Sequence, residues 1–260
     1  KEVFGTSWAT QHSVTFQDGN DKGHFFTSVN YLDNDGIVRG KKDTYTRLTA
    51  QLNADYQLYK WIKVGTNTSI EKWATRNITH QSAYGSMLAP TLLLDPLTPV
   101  YWDSVDDFPT SMKDVYATNP EKILIAPNGK YYATSKFQMD DNGNPLLQRD
   151  RRNQKSSGFT VRGTAFVDLT PIDGLIMTSR FSYRIAQSNS HDYSEPYYMN
   201  GQAKADNYSI SANANNNHYY QWENFANFNK TLFDKHNVGA MIGMSYTEYR
   251  SDNVSASASG

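Results

Sequence analysis

A regular alternation of residue types over Tyr45–Lys72 constrains the fold of this chain more than any other feature. Over Thr46–Leu58 every second residue is apolar or neutral, and the residues between them are polar or charged; the pattern returns over Ile62–Ile70. A period of two places the two sets on opposite faces of a β-sheet. Each half exceeds the usual length of about five to six residues for a soluble strand, and has the roughly 9–11 residues that a tilted strand needs to cross a bilayer. The stretch therefore predicts a hairpin in the wall of a transmembrane β-barrel.

Other stretches show the same alternation, and we assign their apolar face to lipid. These further strands are predicted near residues 11–17, 24–32, 159–169, 175–185, 220–232 and 238–246. The residues predicted to face lipid are Leu48, Ala50, Leu52, Ala54, Ile62, Val64, Ile70, Val161, Val167, Phe181, Phe228 and Ile242. Aromatic residues gather where the two strands of the first hairpin meet, at Tyr56, Tyr59 and Trp61. Membrane barrels carry an aromatic girdle at such positions.

The connections between the predicted strands alternate in length. Short turns at 18–22, 57–60, 170–174 and 233–237 alternate with longer connections at 33–44, 73–155 and 187–217. Outer-membrane barrels have this parity, with short periplasmic turns and long extracellular loops. We therefore predict an all-β fold, in which residues 1–260 form an antiparallel segment of a transmembrane β-barrel. With about eight strands both ends of the chain fall on the extracellular side, so we expect part of a larger barrel.

Composition excludes several other classes of protein. No stretch approaches the ~18 consecutive apolar residues of a membrane helix. The net charge of -1 gives no electrostatic argument for nucleic-acid binding, and the chain has no cysteine. The histidines show no metal-ligand spacing, and no nucleophile–base pair or phosphate-binding loop is visible. We therefore predict no enzyme activity, no catalytic residue, no metal site and no cofactor.

Two groups of residues are candidates for contact with a ligand or a partner protein. Arg162, Arg180 and Arg184 fall on the face predicted to line the barrel lumen. The alternative is that they simply hydrate the lumen or pair across strands. The second group is the loop aromatics Tyr101, Trp102, Tyr197 and Tyr198, which have the chemistry to stack on sugars or on a lid protein. Packing within the loops is the alternative for them.

Short motifs recur in a fixed order along these strands and turns. They are the segments 19–22 (GNDK), 25–40 (ending DNDGIVRG), 45–53, 60–65 (KWIKVG), 170–175 (TPIDGL) and 235–237 (KHN). In this order the segments resemble the early barrel region of the SusC/RagA family of TonB-dependent outer-membrane transporters. The resemblance covers nearly every predicted strand, whereas the 73–155 connection matches only loosely.

The resemblance implies a function that the residue patterns alone do not give. It implies a barrel of about 22 strands, closed by an N-terminal plug, of which this chain is a fragment without the plug and later strands. Such a protein lies in the outer membrane of a Gram-negative, Bacteroidota-like bacterium and imports large nutrients such as oligosaccharides or peptides. Its implied partners are the TonB complex, a SusD-like surface lipoprotein, the lipid bilayer and the nutrient ligand.

Two alternatives from other functional classes stay open at this point. One is a soluble, secreted all-β carbohydrate-binding module that uses tyrosine and tryptophan platforms. The other is a small, closed, eight-stranded outer-membrane barrel with a structural role. A requirement for detergent separates the first alternative from a transporter segment, and a count of the strands in the intact protein separates the second.

Overall fold

The computed structural model describes residues 2–78, 87–138, 140, 143–233 and 235–260. Its strands are β1 (Trp8–Asn20), β2 (Gly23–Asp35), β3 (Thr44–Tyr59), β4 (Ile62–Arg76), β5 (Tyr101–Trp102), β6 (Tyr131–Tyr132), β7 (Lys155–Ile172), β8 (Leu175–Ser194), β9 (Tyr197–Tyr198), β10 (Lys204–Ala205), β11 (Ser209–Leu232) and β12 (His236–Ser259). The α-helices are α1 (Leu88–Leu93), α2 (Thr110–Thr118) and α3 (Pro145–Arg151). Among the described residues no helix is long and apolar enough to cross a bilayer.

The eight long strands form one antiparallel sheet. They lie side by side in the order β1-β2-β3-β4-β7-β8-β11-β12, so each long strand pairs with the next long strand along the chain. The two-residue strands pair separately, β5 with β6 and β9 with β10. Within the described residues β1 and β12 form the two edges of the sheet and do not pair with each other. The sheet is therefore open, and the alternative of a closed eight-stranded barrel does not describe this structure.

The long strands extend well beyond their predicted limits. β3 and β4 have 16 and 15 residues, and β11 and β12 have 24 each. At about 3.3 Å per residue, a strand of the latter length greatly exceeds the thickness of the bilayer core. The first strand begins at Trp8, three residues before its predicted limit at residue 11.

The predicted loop at 187–217 is wrong in its limits. β8 continues to Ser194 and β11 begins at Ser209, so the connection is confined to residues 195–208. The far end of β8 lacks a period of two because both of its faces are polar. The start of β11 alternates Ile210, Ala212 and Ala214 with Ser211, Asn213 and Asn215, a pattern that the sequence analysis missed. Asparagine side chains instead bond within and between strands: Asn215 Nδ2 donates to Asn213 Oδ1 over 2.8 Å, and Asn253 Nδ2 donates to the same oxygen over 3.2 Å.

The long insertion predicted at 73–155 is bounded almost as expected but is well structured. β4 continues through Trp73 to Arg76, and β7 begins at Lys155. Between them lie the three helices and the β5–β6 pair. Ile125 and Tyr131 form a single bridge, and Tyr131 and Tyr132 pair with β5.

The hydrophobic core of the described chain lies outside the long sheet. It is formed mainly by the described residues of 87–154 and 195–208, which we call the cap. Met87, Leu146 and Met199 are fully buried there, and Val3 and Val38 join the same cluster from the ends of β1 and β2. A second cluster gathers around Trp102. The sheet itself therefore presents both faces to its surroundings, while the cap supplies a compact folded unit at one end.

Candidate functional site: two faces of the sheet and the cap

The pairing register places all the residues predicted to face lipid on one face of the sheet. Residues that lie directly opposite in antiparallel strands share a face, so the register can be followed from strand to strand. Ala50 pairs with Ile70, and Ile70 pairs with Val161. Phe181 continues this face onto β11 and β12 through Trp222 and Tyr246. We call this the apolar face; whether it contacts lipid stays a prediction.

Apolar side chains on this face are exposed rather than covered by another layer. Leu52, Ile70 and Phe181 retain 44%, 41% and 44% of their full accessibility, and Ile242 retains 76%. The buried clusters of the cap do not include them. A continuous exposed apolar surface is unfavourable in water and marks a surface that contacts a partner or a membrane.

Aromatic residues border the apolar face at both ends. At the end with the tight turns, Tyr56 lies on this face and the rings of Tyr59 and Trp61 stack with centroids 6.4 Å apart. At the opposite end, Tyr220 pairs with Glu248, and the Tyr246 hydroxyl donates to that carboxylate over 3.2 Å. The sequence analysis missed this second row. The sequence signal for it is Tyr246, which occupies the last apolar position of its strand before the charged residue Glu248.

The height of the apolar face matches a bilayer core. On β3 the face is apolar from Leu48 to Leu58. This span covers about 25 Å along the membrane normal, at about 3.3 Å per residue and a tilt of about 40°. At the end away from the tight turns, the first polar residue of this face lies at a different height on different strands. Lys72 and Gln187 both pair with Phe159 and so lie at one level. Glu248 on β12 lies nearer to the tight turns. A stagger of this kind is typical of strands that tilt within a barrel.

The opposite face is polar and carries cross-strand ion pairs. Lys63 Nζ lies 3.2 Å from Asp55 Oδ2, and His24 Nδ1 lies 3.6 Å from the same oxygen. The Thr178 hydroxyl donates to Asp168 Oδ1 over 2.6 Å. Polar groups on this face largely pair with one another across strands. This agrees with the alternative that charged residues of this face pair across strands instead of contacting a ligand.

The structure brings two of the three candidate arginines together. Arg162 on β7 lies directly opposite Arg184 on β8. Arg180 lies further along β8 toward the tight turns, where it is opposite Glu223 and 5.6 Å above the ring of Phe225. Arg180 therefore lies opposite an acidic residue, whereas Arg162 and Arg184 lie opposite a like charge.

The candidate aromatic residues belong to the packing of the cap. Trp102 and Tyr197 are each only 6% exposed. The Trp102 ring packs against Phe108 at 5.6 Å, and the Arg151 guanidinium lies 4.4 Å from the Tyr197 ring centroid. Both side chains are therefore buried in the cap. Tyr101 and Tyr198 are partly buried against the two cap clusters, and contact of these four aromatic residues with a ligand or partner stays a prediction.

A polar network fastens the cap to the connection between β2 and β3. Asp150 is at its centre: it accepts a hydrogen bond from the Tyr132 hydroxyl over 2.7 Å and pairs with Arg149 Nε at 2.6 Å. Lys42 Nζ donates to the carbonyl oxygens of Asp150 and Arg152. Burial lowers the pKa of Lys42, whereas burial and the bond to Asp150 raise the pKa of Tyr132. Both pKa shifts reflect the burial of Lys42 and Tyr132 where the cap meets the connection between β2 and β3.

No group of metal-ligating side chains occurs among the described residues. The candidate binding surfaces of the described residues are therefore the two faces of the sheet and the folded cap.

Comparison with known proteins identifies relatives of this chain, although no family model matches it. It is 28% identical over 239 residues to the TonB-dependent receptor P39 of Formosa agariphila, which covers 90% of this chain and 19% of the relative. It is 27% identical over 168 residues to the TonB-dependent receptor SusC of Bacteroides thetaiotaomicron, which covers 64% of this chain and 16% of SusC. The chain thus spans about a fifth of the length of the curated relatives it matches.

Solved structures show the same fold over the whole chain. The RagAB peptide transporter superposes with a TM-score of 0.68 and 18% identity, over 100% of this chain and 26% of the matched chain. The RagAB peptide importer in the closed-closed state gives 0.69 and 20%. The resemblance to the SusC/RagA family is confirmed. The predicted fold class, an antiparallel segment of a larger β-barrel, is confirmed with it.

The SusC/RagA-like fold explains features that the sheet alone leaves unexplained. A segment of a larger barrel has two unpaired edges, as β1 and β12 have among the described residues. A barrel wall has one outer and one inner surface, as this sheet has two distinct faces. The tight turns and the cap lie at opposite ends of the sheet.

Proposed function

We propose that this chain is part of an outer-membrane transporter that imports large nutrients with energy from the TonB complex. The observation that carries the proposal is the apolar face, which is exposed, about as tall as a bilayer core and bordered by aromatic rows. The polar opposite face would then line the import lumen. The similarity to TonB-dependent receptors supports the energy source.

The cap supports the proposal of an extracellular partner. The cap has a buried core and lies beyond the apolar face, on the side away from the tight turns. We infer that the tight turns are periplasmic and that the cap contributes to the surface on which a SusD-like lipoprotein docks as a lid. The similarity to SusC and to the RagAB transporter supports this arrangement.

Oligosaccharides and peptides are the proposed substrate classes. The RagAB peptide transporter, whose fold this chain shares, supports peptides, and the resemblance to the SusC/RagA family supports oligosaccharides as the second class. Their proposed path is the polar face, where hydroxyl, amide and charged groups alternate with few apolar ones.

An uptake experiment with the intact protein tests the proposal. Cells with and without the gene are given fluorescent pools of oligosaccharides and of peptides too large for porins, with and without a protonophore. We expect uptake of at least one pool to require both the gene and the proton gradient. Uptake of both pools that is independent of the gene would contradict the proposal, and recovery of the protein as a detergent-independent soluble monomer would favour the carbohydrate-binding module.

A further inference from the structure

Two arginines from neighbouring strands face each other on the polar face. Arg162 of β7 and Arg184 of β8 are direct cross-strand partners, and both side chains are exposed. Like charges directly opposite each other destabilise a sheet. On their outer sides the pair is flanked by Ser69 of β4 and Tyr219 of β11, which are both neutral. The arrangement is therefore unfavourable unless an anion lies between or above the two guanidinium groups.

The nearby carboxylates neutralise only part of this charge. Arg162 Nη2 lies 3.8 Å from Glu71 Oε2, and Arg162 Nε donates to the Ser69 hydroxyl over 3.2 Å. Arg184 makes no hydrogen bond or ion pair with any residue that the structure describes. The next acidic residue along β11, Glu223, is the cross-strand partner of Arg180. One guanidinium group therefore remains unmatched.

The two arginines border an open recess of about 400 Å³. The other polar groups along it are neutral hydrogen-bonding side chains, among them Gln51, Asn53, Asn67, Thr164 and Ser182. None of the described residues that line it is acidic. The recess thus combines a net positive charge with amide and hydroxyl groups.

We propose that Arg162 and Arg184 bind a carboxylate of the imported ligand. The planar guanidinium fork matches the two oxygens of a carboxylate and binds it through two parallel hydrogen bonds. The carboxylate is an acidic side chain of a peptide or a uronate of an oligosaccharide, and the neutral groups of the recess bind the adjoining amide or hydroxyl groups. This inference rests on the proposed import function and adds a preference for acidic ligands to it.

Binding to the purified intact protein in detergent tests the site. The probes are an amidated alanine peptide with two glutamates, its glutamine counterpart, a glucuronate-containing oligosaccharide and a neutral glucose oligosaccharide. We expect one acidic probe to bind more tightly than its neutral counterpart. The double variant Arg162→Gln/Arg184→Gln should weaken the binding of that acidic probe roughly tenfold to hundredfold, which is the usual range for losing charge-assisted hydrogen bonds. The affinity for the neutral probe should not change. The probe pair that responds identifies the source of the carboxylate.

Arg180→Gln is the matched control, because it removes the same charge from the same face at a position already opposite Glu223. It should not alter the ratio of acidic to neutral binding. Arg184→Lys keeps the charge but loses the planar fork, so it should fall between wild type and the double variant. Equal binding of acidic and neutral probes, or the same response to Arg180→Gln as to the double variant, would overturn the site. Those results leave import itself intact, whereas failure of the proposed function appears as loss of gene-dependent uptake for neutral and acidic ligands alike.

Discussion

Leu52 gives the most direct residue-scale test of which face meets lipid. It lies on the apolar face between Thr27 and Thr68 and is 44% exposed. An arginine there, near the middle of the apolar span, should reduce the free energy of unfolding by about 2–4 kcal/mol. The measurement is urea unfolding of the intact protein in lipid vesicles, followed by the gel mobility of the folded barrel. Asn53→Arg, on the polar face, is the control and should change stability little; equal losses at both positions would contradict the assignment of faces.

Gly158 shows how single residues shape the polar face. Its cross-strand partner is Trp73, and a Cβ at Gly158 would lie 2.5 Å from Cε2 of the indole ring. We expect Gly158→Val to destabilise the barrel by about 1–3 kcal/mol through overpacking. In a Trp73→Ala background the same substitution should cost much less, because the ring that it displaces is gone. Additive effects would show that the indole ring does not cover the glycine, and Gly201→Ala, which has open space around it, serves as the control.

At the scale of elements, the cap should unfold independently of the barrel wall. Leu146 in α3 is 2% exposed within the main cap cluster. Leu146→Ala should therefore cost about 2–5 kcal/mol of cap stability by creating a cavity. Limited proteolysis should then cut within residues 87–154, while the heat-dependent gel shift of the barrel is retained. Leu92→Ala, at an exposed position of α1, is the matched control; loss of the gel shift in the Leu146 variant would show that cap and wall fold as one unit.

The same scale shows what the sequence could and could not predict. Strand alternation predicted the sheet wherever one face is apolar and the other polar, as in β3 and β4, and the register then agrees with the predicted facing. It failed at the far end of β8, where both faces are polar and no hydrophobic period exists. It also missed the start of β11, where Ile210 and two alanines alternate with polar residues. The arginine pair was also invisible, since two arginines become neighbours only through the register of β7 and β8. The fold of the cap depends on contacts between residues distant in sequence, such as the Asn144 N–H with the Met199 sulfur, which no local pattern encodes.

For the whole molecule, the open sheet predicts how the chain behaves when it is produced by itself. Its edges are β1 and β12, and all but one of the 24 residues of β12 are exposed. Unpaired edge strands offer backbone donors and acceptors to other chains, and the apolar face needs detergent or lipid. We therefore expect residues 1–260 alone to require detergent and to form oligomers in it. Light scattering after size-exclusion chromatography measures their mass, with the intact protein as the reference for a wall whose edges are paired. A monodisperse monomer in detergent would contradict the open sheet, because only closure of β1 onto β12 would satisfy both edges within one copy of the chain.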